Sequence, residues 1–170
     1  MDALDAILSR RSIRKYKKEA VPKELIDELL KAAMNAPSAC NEQPWHFVVL
    51  QDRKVLDVVP KYHPYSHAIL EAPVAIVVCV DLRLAEEDGV WWVQDCSAAT
   101  ENILITAQAK GLGAVWLGVY PKEDRVKGIQ GLLALPRQVI PLCIIPIGYP
   151  AEKRPDENRY QSSRIHHNRW

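Results

Sequence analysis

The chain has 170 residues, enough for one domain with a substantial core. Hydrophobic residues make up 48% and charged residues 25%, an ordinary globular composition. A net charge of +1 gives no electrostatic argument for nucleic acid or an anionic membrane, and the longest apolar runs, such as Ala72 to Val80, are too short to span a bilayer.

Asp2 to Ser9 reads as a short helix, with Leu4, Ile7 and Leu8 on one face. Its sequence is acidic before it is basic, unlike a signal peptide, so a cytoplasmic protein is expected. A basic cluster follows, Arg10-Arg11-Ser12-Ile13-Arg14-Lys15. Pro22 opens a second helix that runs through Leu25, Ile26, Leu29 and Leu30 to about Met34. After a polar loop from Asn35 to Pro44, Trp45 to Leu50 forms a strand, and Arg53 to Val59 a short helix. Lys61 to His67 is an irregular aromatic loop, and the β-branched run Val74 to Val80 predicts a strand buried on both faces.

Glu86-Glu87-Asp88-Gly89 reads as a solvated connection. Trp91 to Lys110 is the longest helical pattern, apolar over much of its circumference and therefore central. Gly111 and Gly113 end it, and Ala114 to Val119 is the third strand. Lys122 to Leu133 is a helix interrupted by Gly128. Leu142 to Gly148 is the fourth strand, in which Pro146 predicts an edge or a bulge. From Tyr149 the tail is polar, basic and Pro-containing, an arm that needs something else to pack against. One domain, residues 1–148, with an arm over 149–170 is expected, in the α/β or α+β class.

The basic cluster places three guanidinium groups and a hydroxyl within five residues, good chemistry for one phosphate, although a short basic run taken alone reads more readily as a solvated loop or a fragment of nucleic-acid surface. The loop from Pro37 to Trp45 is more specific. Asn41 and Gln43 can read the edge of a heterocycle, and the prolines limit the entropy lost on binding. Gly111-Leu112-Gly113 follows a helix and enters a strand, the reverse of a dinucleotide fingerprint, and no P-loop is present. No metal site is expected, because Pro64 separates His63 from His67 and adjacent His166 and His167 point apart. The four cysteines (Cys40, Cys79, Cys96, Cys143) lack CxxC spacing, and no nucleophile–base set stands out. Five tryptophans beside one phenylalanine suit core, a dimer interface or a planar ligand alike.

Together these segments resemble the FMN-dependent nitroreductase family. RRSIRKY at Arg10 to Tyr16 is similar to its phosphate-binding start, and PSACNEQPWHFVV at Pro37 to Val49 to its Pro-Ser-x-x-Asn-x-Gln-Pro-Trp segment. GLGAVWLG at Gly111 to Gly118 resembles its flavin-edge strand, and IPIGYP at Ile145 to Pro150 with the closing Asn168-Arg169-Trp170 resembles the tail of its short members. The four motifs fall in the family's order across nearly the whole chain.

The resemblance implies an α+β fold, a central, mostly antiparallel sheet flanked by helices, in an intertwined homodimer whose C-terminal arm crosses to the partner. It implies FMN at the dimer interface and NADH or NADPH as hydride donor to a small-molecule acceptor such as a nitroaromatic or quinone. Carried over by position, Arg10, Arg11, Ser12 and Arg14 hold the phosphate and ribityl end, joined by Arg159 and, less well aligned, Arg154. Pro37, Ser38, Ala39 and Asn41 approach the ring from the partner subunit, and Leu117 and Gly118 present backbone groups near flavin N5. At the pyrimidine edge, where the family often carries Asn or Gln, this chain has Tyr65 or Ser66. The flavin carries the chemistry, so no catalytic side chain is expected. The alternatives are a flavin-binding sensor or carrier without turnover, and a nucleic-acid module, which the near-neutral charge disfavours.

Overall fold

The Val-Ile-rich run predicted as a doubly buried strand is β2 (Val74–Asp81), and all eight of its residues are buried. The computed structural model describes residues 1–85 and 89–170, so Glu86, Glu87 and Asp88 of the predicted acidic connection lie outside the described residues. On one side β2 pairs antiparallel with β1 (Trp45–Leu50), Trp45 opposite Val80 and Leu50 opposite Ala75. On its other side lies β5 (Val139–Gly148), Val74 opposite Ile147 and Asp81 opposite Val139. Two short strands, β3 (Gly113–Ala114) and β4 (Leu117–Gly118), also pair antiparallel with β5. The described residues thus form a five-stranded antiparallel sheet, and the α+β expectation holds.

Strand alternation divides the core. Val74, Ile76, Val78 and Val80 pack with the buried stripes of α2 (Lys23–Met34) and α4 (Trp92–Ala109). Ala75, Val77 and Cys79 pack on the opposite face with Leu56 of α3 (Arg53–Leu56) and Ile129 of α5 (Glu123–Leu132). Each Val or Ile buried in this way contributes about 1.5–3 kcal/mol of transfer free energy. Cys79, Cys96 and Cys143 are buried thiols among these groups, and burial pushes Cys79 and Cys143 up to about 12.

The long helix is central, as its pattern predicts: Trp92, Asp95, Cys96, Ala99, Thr100, Ile103, Leu104 and Ala107 are buried along it. Gly111 stops it in the left-handed conformation (φ 73°). Leu112 N–H donates back to Ala107 C=O at 2.8 Å and Gly111 N–H to Gln108 C=O at 3.1 Å, satisfying the last carbonyls. Gly113, expected to share that role, is instead in β3, where a Cβ would lie 2.7 Å from Cγ2 of Ile13. The interruption expected at Gly128 does not occur: α5 runs unbroken through it, and the missing side chain makes room for the Tyr62 ring, 2.5 Å from where a Cβ would stand.

Two other expectations are corrected. The strand predicted over Ala114 to Val119 is broken into β3 and β4, with Val115 and Trp116 unpaired between them. Pro146, read as a sign of an edge or bulge, lies within β5, which is paired on both sides. A central proline is tolerated because β3 ends opposite Ile147 and β4 begins opposite Ile144, so the missing N–H falls in the gap. The one register shift in β5 falls further back, between the pairs Val78–Cys143 and Cys79–Pro141.

Helix α1 (Ala3–Ser9) buries only Ala6 and leaves Leu4, Ile7 and Leu8 largely exposed. Tyr149 to Ala151 stay with the core, since Lys17 N–H donates to Tyr149 C=O and Ala151 N–H to Lys15 C=O, each at 2.9 Å. Every residue from Lys153 onward is exposed, Tyr160 and Trp170 among them. Among the described residues no helix is long and apolar enough to cross a membrane.

Candidate functional site

The basic cluster is held at both ends by backbone pairing. Ile13 N–H donates to Ala114 C=O at 3.0 Å, bridging Ser12 to β3, while Tyr16 pairs with Pro150 just beyond β5. Tyr16 Oη, buried, donates to Ile13 C=O at 2.6 Å and reaches Pro146 C=O at 3.2 Å, the carbonyl beside the β3–β4 gap. The segment between these anchors is therefore a fixed rim along the sheet.

The predicted phosphate ligands separate along that rim. Arg10 lies 3.5 Å from Glu101. Arg11 is taken up by its own chain: Nε donates to Pro155 C=O, Nη1 to Leu8 and Arg10 C=O, and Nη2 lies 3.6 Å from Asp156. Arg10, Arg11 and Arg159 line one depression of about 780 Å³ between α1 and the tail, where Arg159 pairs with Glu157. Arg14 faces a different cleft of about 790 Å³, with Leu117, Gly118 and Arg154. Its N–H donates to Glu152 Oε1 at 2.6 Å, while its guanidinium makes no hydrogen bond or ion pair with another described residue. Arg154 pairs with Glu152 at 3.1 Å.

This second cleft carries a net positive lining. Arg14, Lys15, Arg125 and Arg154 stand against Glu71 and Glu152, with His63, Tyr65, His67 and Trp116 completing the walls. Its size suits a ligand-sized organic molecule. At its floor the Gly118 carbonyl accepts from His63 Nε2 at 2.9 Å and from Arg125 Nη1 at 3.0 Å. Burial and the Arg125 charge lower the His63 pKa below its ordinary value of 6.5, which favours the neutral ring, and Nδ1 is buried with no partner among the described residues. The Arg125 guanidinium also lies over the Tyr65 ring, 5.5 Å from its centroid. Of the two residues expected at the pyrimidine edge, Ser66 is fully buried with Oγ donating to His63 C=O, and only Tyr65 reaches the cleft.

Pro37, Ser38, Ala39 and Asn41 line neither cleft. They form a strained turn in which Cys40, Asn41 and Gln43 all have positive φ (48°, 57° and 50°). Two contacts pin it: Ala39 N–H donates to Asp95 Oδ1, and Gln43 N–H to Ser38 Oγ, both at 3.0 Å. Burial raises the Asp95 pKa, and its Oδ2 has no partner among the described residues.

Asp95, His63 and Arg125 were not among the residues expected from sequence. Asp95 had a signal, a carboxylate inside the apolar stripe of Trp92, Cys96 and Ala99. Arg125 had none, because it sits among charged neighbours at the start of α5.

An antiparallel sheet packed between helices carries a basic rim and a cationic cleft at the end of β4, a lining suited to a ligand with anionic groups. The profile of the nitroreductase family matches residues 7–68 and 54–149. A relative from Methanothermobacter thermautotrophicus, provisionally named an NADH dehydrogenase/NAD(P)H nitroreductase, is 53% identical over 170 residues, covering 100% of this chain and 88% of its own. A similarly named crystal structure from Parabacteroides distasonis superposes with a TM-score of 0.94 at 44% identity, covering 99% of this chain and 98% of that one. A provisionally named nitroreductase from Desulfovibrio desulfuricans, solved in complex with FMN, gives 0.86 at 32% identity over 100% and 98% of the two chains. This chain belongs to the nitroreductase family.

Proposed function

We propose that this chain is an NAD(P)H-dependent FMN oxidoreductase that passes hydride to a small-molecule acceptor, nitroaromatics and quinones being the classes to test. The observation that carries the reading is the cleft that Arg14, whose guanidinium has no partner among the described residues, shares with Leu117 and Gly118. FMN combines a phosphate with a flat ring bearing polar edges, and this cleft offers both kinds of partner. When bound, the flavin supplies the hydride acceptance and donation.

The residues of the chain bind and orient. Arg14 and Ser12 are assigned to the phosphate and ribityl end, with Arg154 beside Arg14 in the cleft; Arg10 and Arg159 line the separate depression between α1 and the tail, and their assignment to the same end rests on the family resemblance. Arg11 acts by tying Pro155 and Asp156 of the tail to the end of α1. Pro37, Ser38, Ala39 and Asn41, remote from the cleft of their own chain, are assigned to the site of a second subunit. That assignment makes the protein a homodimer, and the exposed residues beyond Glu152 are assigned to the partner's surface. Neutral His63 and the buried Tyr16 hydroxyl hold backbone groups and are given no proton-transfer role. A cytoplasmic setting fits three neighbouring core thiols that form no disulfide.

The test is the visible spectrum of the purified protein supplied with FMN, repeated anaerobically with NADH and with NADPH. Bound flavin bands that bleach with a nicotinamide support the enzyme and name the donor. Bands that persist favour a sensor or carrier, and failure to bind FMN overturns the reading.

A further inference from the structure

We propose that Arg125 is a fixed cation at the ring-binding end of the cleft, held there by the Gly118 carbonyl and the Tyr65 ring, and that its charge stabilises the reduced form of bound flavin. The inference rests on the FMN reading above and adds a residue to it.

The Gly118 carbonyl has two acceptor positions, and the two donors come from different parts of the chain. His63 enters from the loop after α3, and Arg125 from the first turn of α5. A carbonyl can only accept, so His63 Nε2 carries its proton and the imidazole holds the peptide without adding charge. The Val119 N–H of the same peptide donates to Leu142 C=O at 2.9 Å, so the Gly118–Val119 peptide is fixed from both sides. Arg125 is thereby oriented at Nη1, and the Tyr65 ring supports its guanidinium. Its Nε and Nη2 make no hydrogen bond to another described residue, so a planar fork of donors remains available along the cleft wall.

Tyr65 and Ser66 stand where the resemblance sets the pyrimidine edge, and the structure withdraws Ser66 into the core. Tyr65 brings Arg125 to that position instead. Two-electron reduction of a flavin places negative charge on the pyrimidine side of the ring, whereas the oxidised ring is neutral. A guanidinium held there interacts more strongly with the reduced form, because its positive charge attracts the negative charge that reduction adds and has no net charge to attract on the oxidised ring. The effect is therefore on the balance between the two oxidation states more than on binding of the oxidised cofactor. Arg125 contacts the cofactor in this account; His63 and Tyr65 are positioning residues.

The experiment measures the midpoint potential of FMN bound to the full-length protein, beside the affinity for oxidised FMN. Arg125→Gln should lower the reduced-to-oxidised ratio at a given solution potential by about tenfold, or about 30 mV for a two-electron couple. Its affinity for oxidised FMN should change by less than that. Arg125→Lys should recover part of the shift, since it restores charge without the planar fork. Tyr65→Leu alters an exposed side chain and leaves the core intact, so it reads the same device if the glutamine variant fails to fold, with a smaller shift in the same direction. Flavin-loaded Arg125→Gln or Tyr65→Leu protein with the wild-type potential overturns the proposal. A wild-type protein that does not bind FMN overturns the functional reading beneath it.

Discussion

Ile13 packs directly on Gly113: a Cβ on the glycine would lie 2.7 Å from Ile13 Cγ2 and 2.8 Å from its Cβ. Ile13 is flanked by Ser12 and Arg14 and hydrogen-bonded to Ala114, so the missing side chain in β3 sets the position of the basic rim. Gly113→Ala should destabilise by roughly 1–3 kcal/mol through overpacking and should also weaken FMN binding. Gly111→Ala is the control, with open space around the new methyl but a left-handed backbone. It should cost about the same, roughly 1–3 kcal/mol of backbone strain, with FMN affinity preserved. Denaturant unfolding and a flavin titration on both variants separate the two effects, and equal flavin affinity in both would remove the positioning role of Ile13.

Arg14 and Arg11 should behave oppositely although they are three residues apart. The Arg14 guanidinium has no protein partner among the described residues, so Arg14→Ala should leave stability within about 0.5 kcal/mol. Its FMN affinity should fall by roughly 1.5–3 kcal/mol, the usual cost of losing a charged hydrogen bond. Arg11→Ala removes donors from three carbonyls and should expose the tail to limited proteolysis near Pro155. Unchanged FMN retention in Arg14→Ala would mean that the phosphate lies elsewhere.

The buried carboxyl of Asp95 gives a pH-dependent signature. Burial raises its pKa above the ordinary 3.8, Glu42 adds to the rise, and the Ala39 N–H opposes it. Between 3.8 and the raised value the folded protein holds a proton that the unfolded chain has lost, so stability falls as pH rises through that window. Asp95→Asn keeps an acceptor for Ala39 and removes the charge. It should be more stable than the parent at neutral pH, with the advantage vanishing below pH 3.8. A variant less stable at neutral pH would show that the charge itself holds the strained turn at Cys40 and Asn41.

A test of the arm has to respect where the core ends. Tyr149 to Ala151 pair with Lys15 and Lys17, and Glu152 receives the Arg14 N–H, so the cut belongs after Glu152. Deleting residues 153–170 should reduce both dimer content and FMN occupancy in sedimentation and absorbance. A monomer that still retains the flavin would sink the crossing-arm assignment.

Features set by local sequence were legible. The β-branched run of β2, the central α4 and the Gly111 stop could be read because burial and φ at those positions follow from nearby residues. Pro146 was misread because its tolerance depends on where β3 and β4 break, more than 28 positions away along the chain. The motifs located the basic cluster but not its division, since Arg11 and Arg14 look alike until the tail carbonyls claim one of them. Arg125 and His63 come together at the Gly118 carbonyl, 7 and 55 residues away, and within 3.5 Å of each other. No periodicity encodes such a meeting.

The three thiols sealed in the core divide the chain's reactivity by folding state. Thiolate is the reactive form, and burial disfavours it at Cys79, Cys96 and Cys143, while Cys40 lies on the surface. A soft electrophile such as a quinone therefore encounters at most the Cys40 sulfhydryl on the native protein, whereas the unfolded chain offers all four. The fraction of molecules carrying more than one adduct becomes a mass-resolved record of how much of the protein has opened its core, read without any probe being attached beforehand.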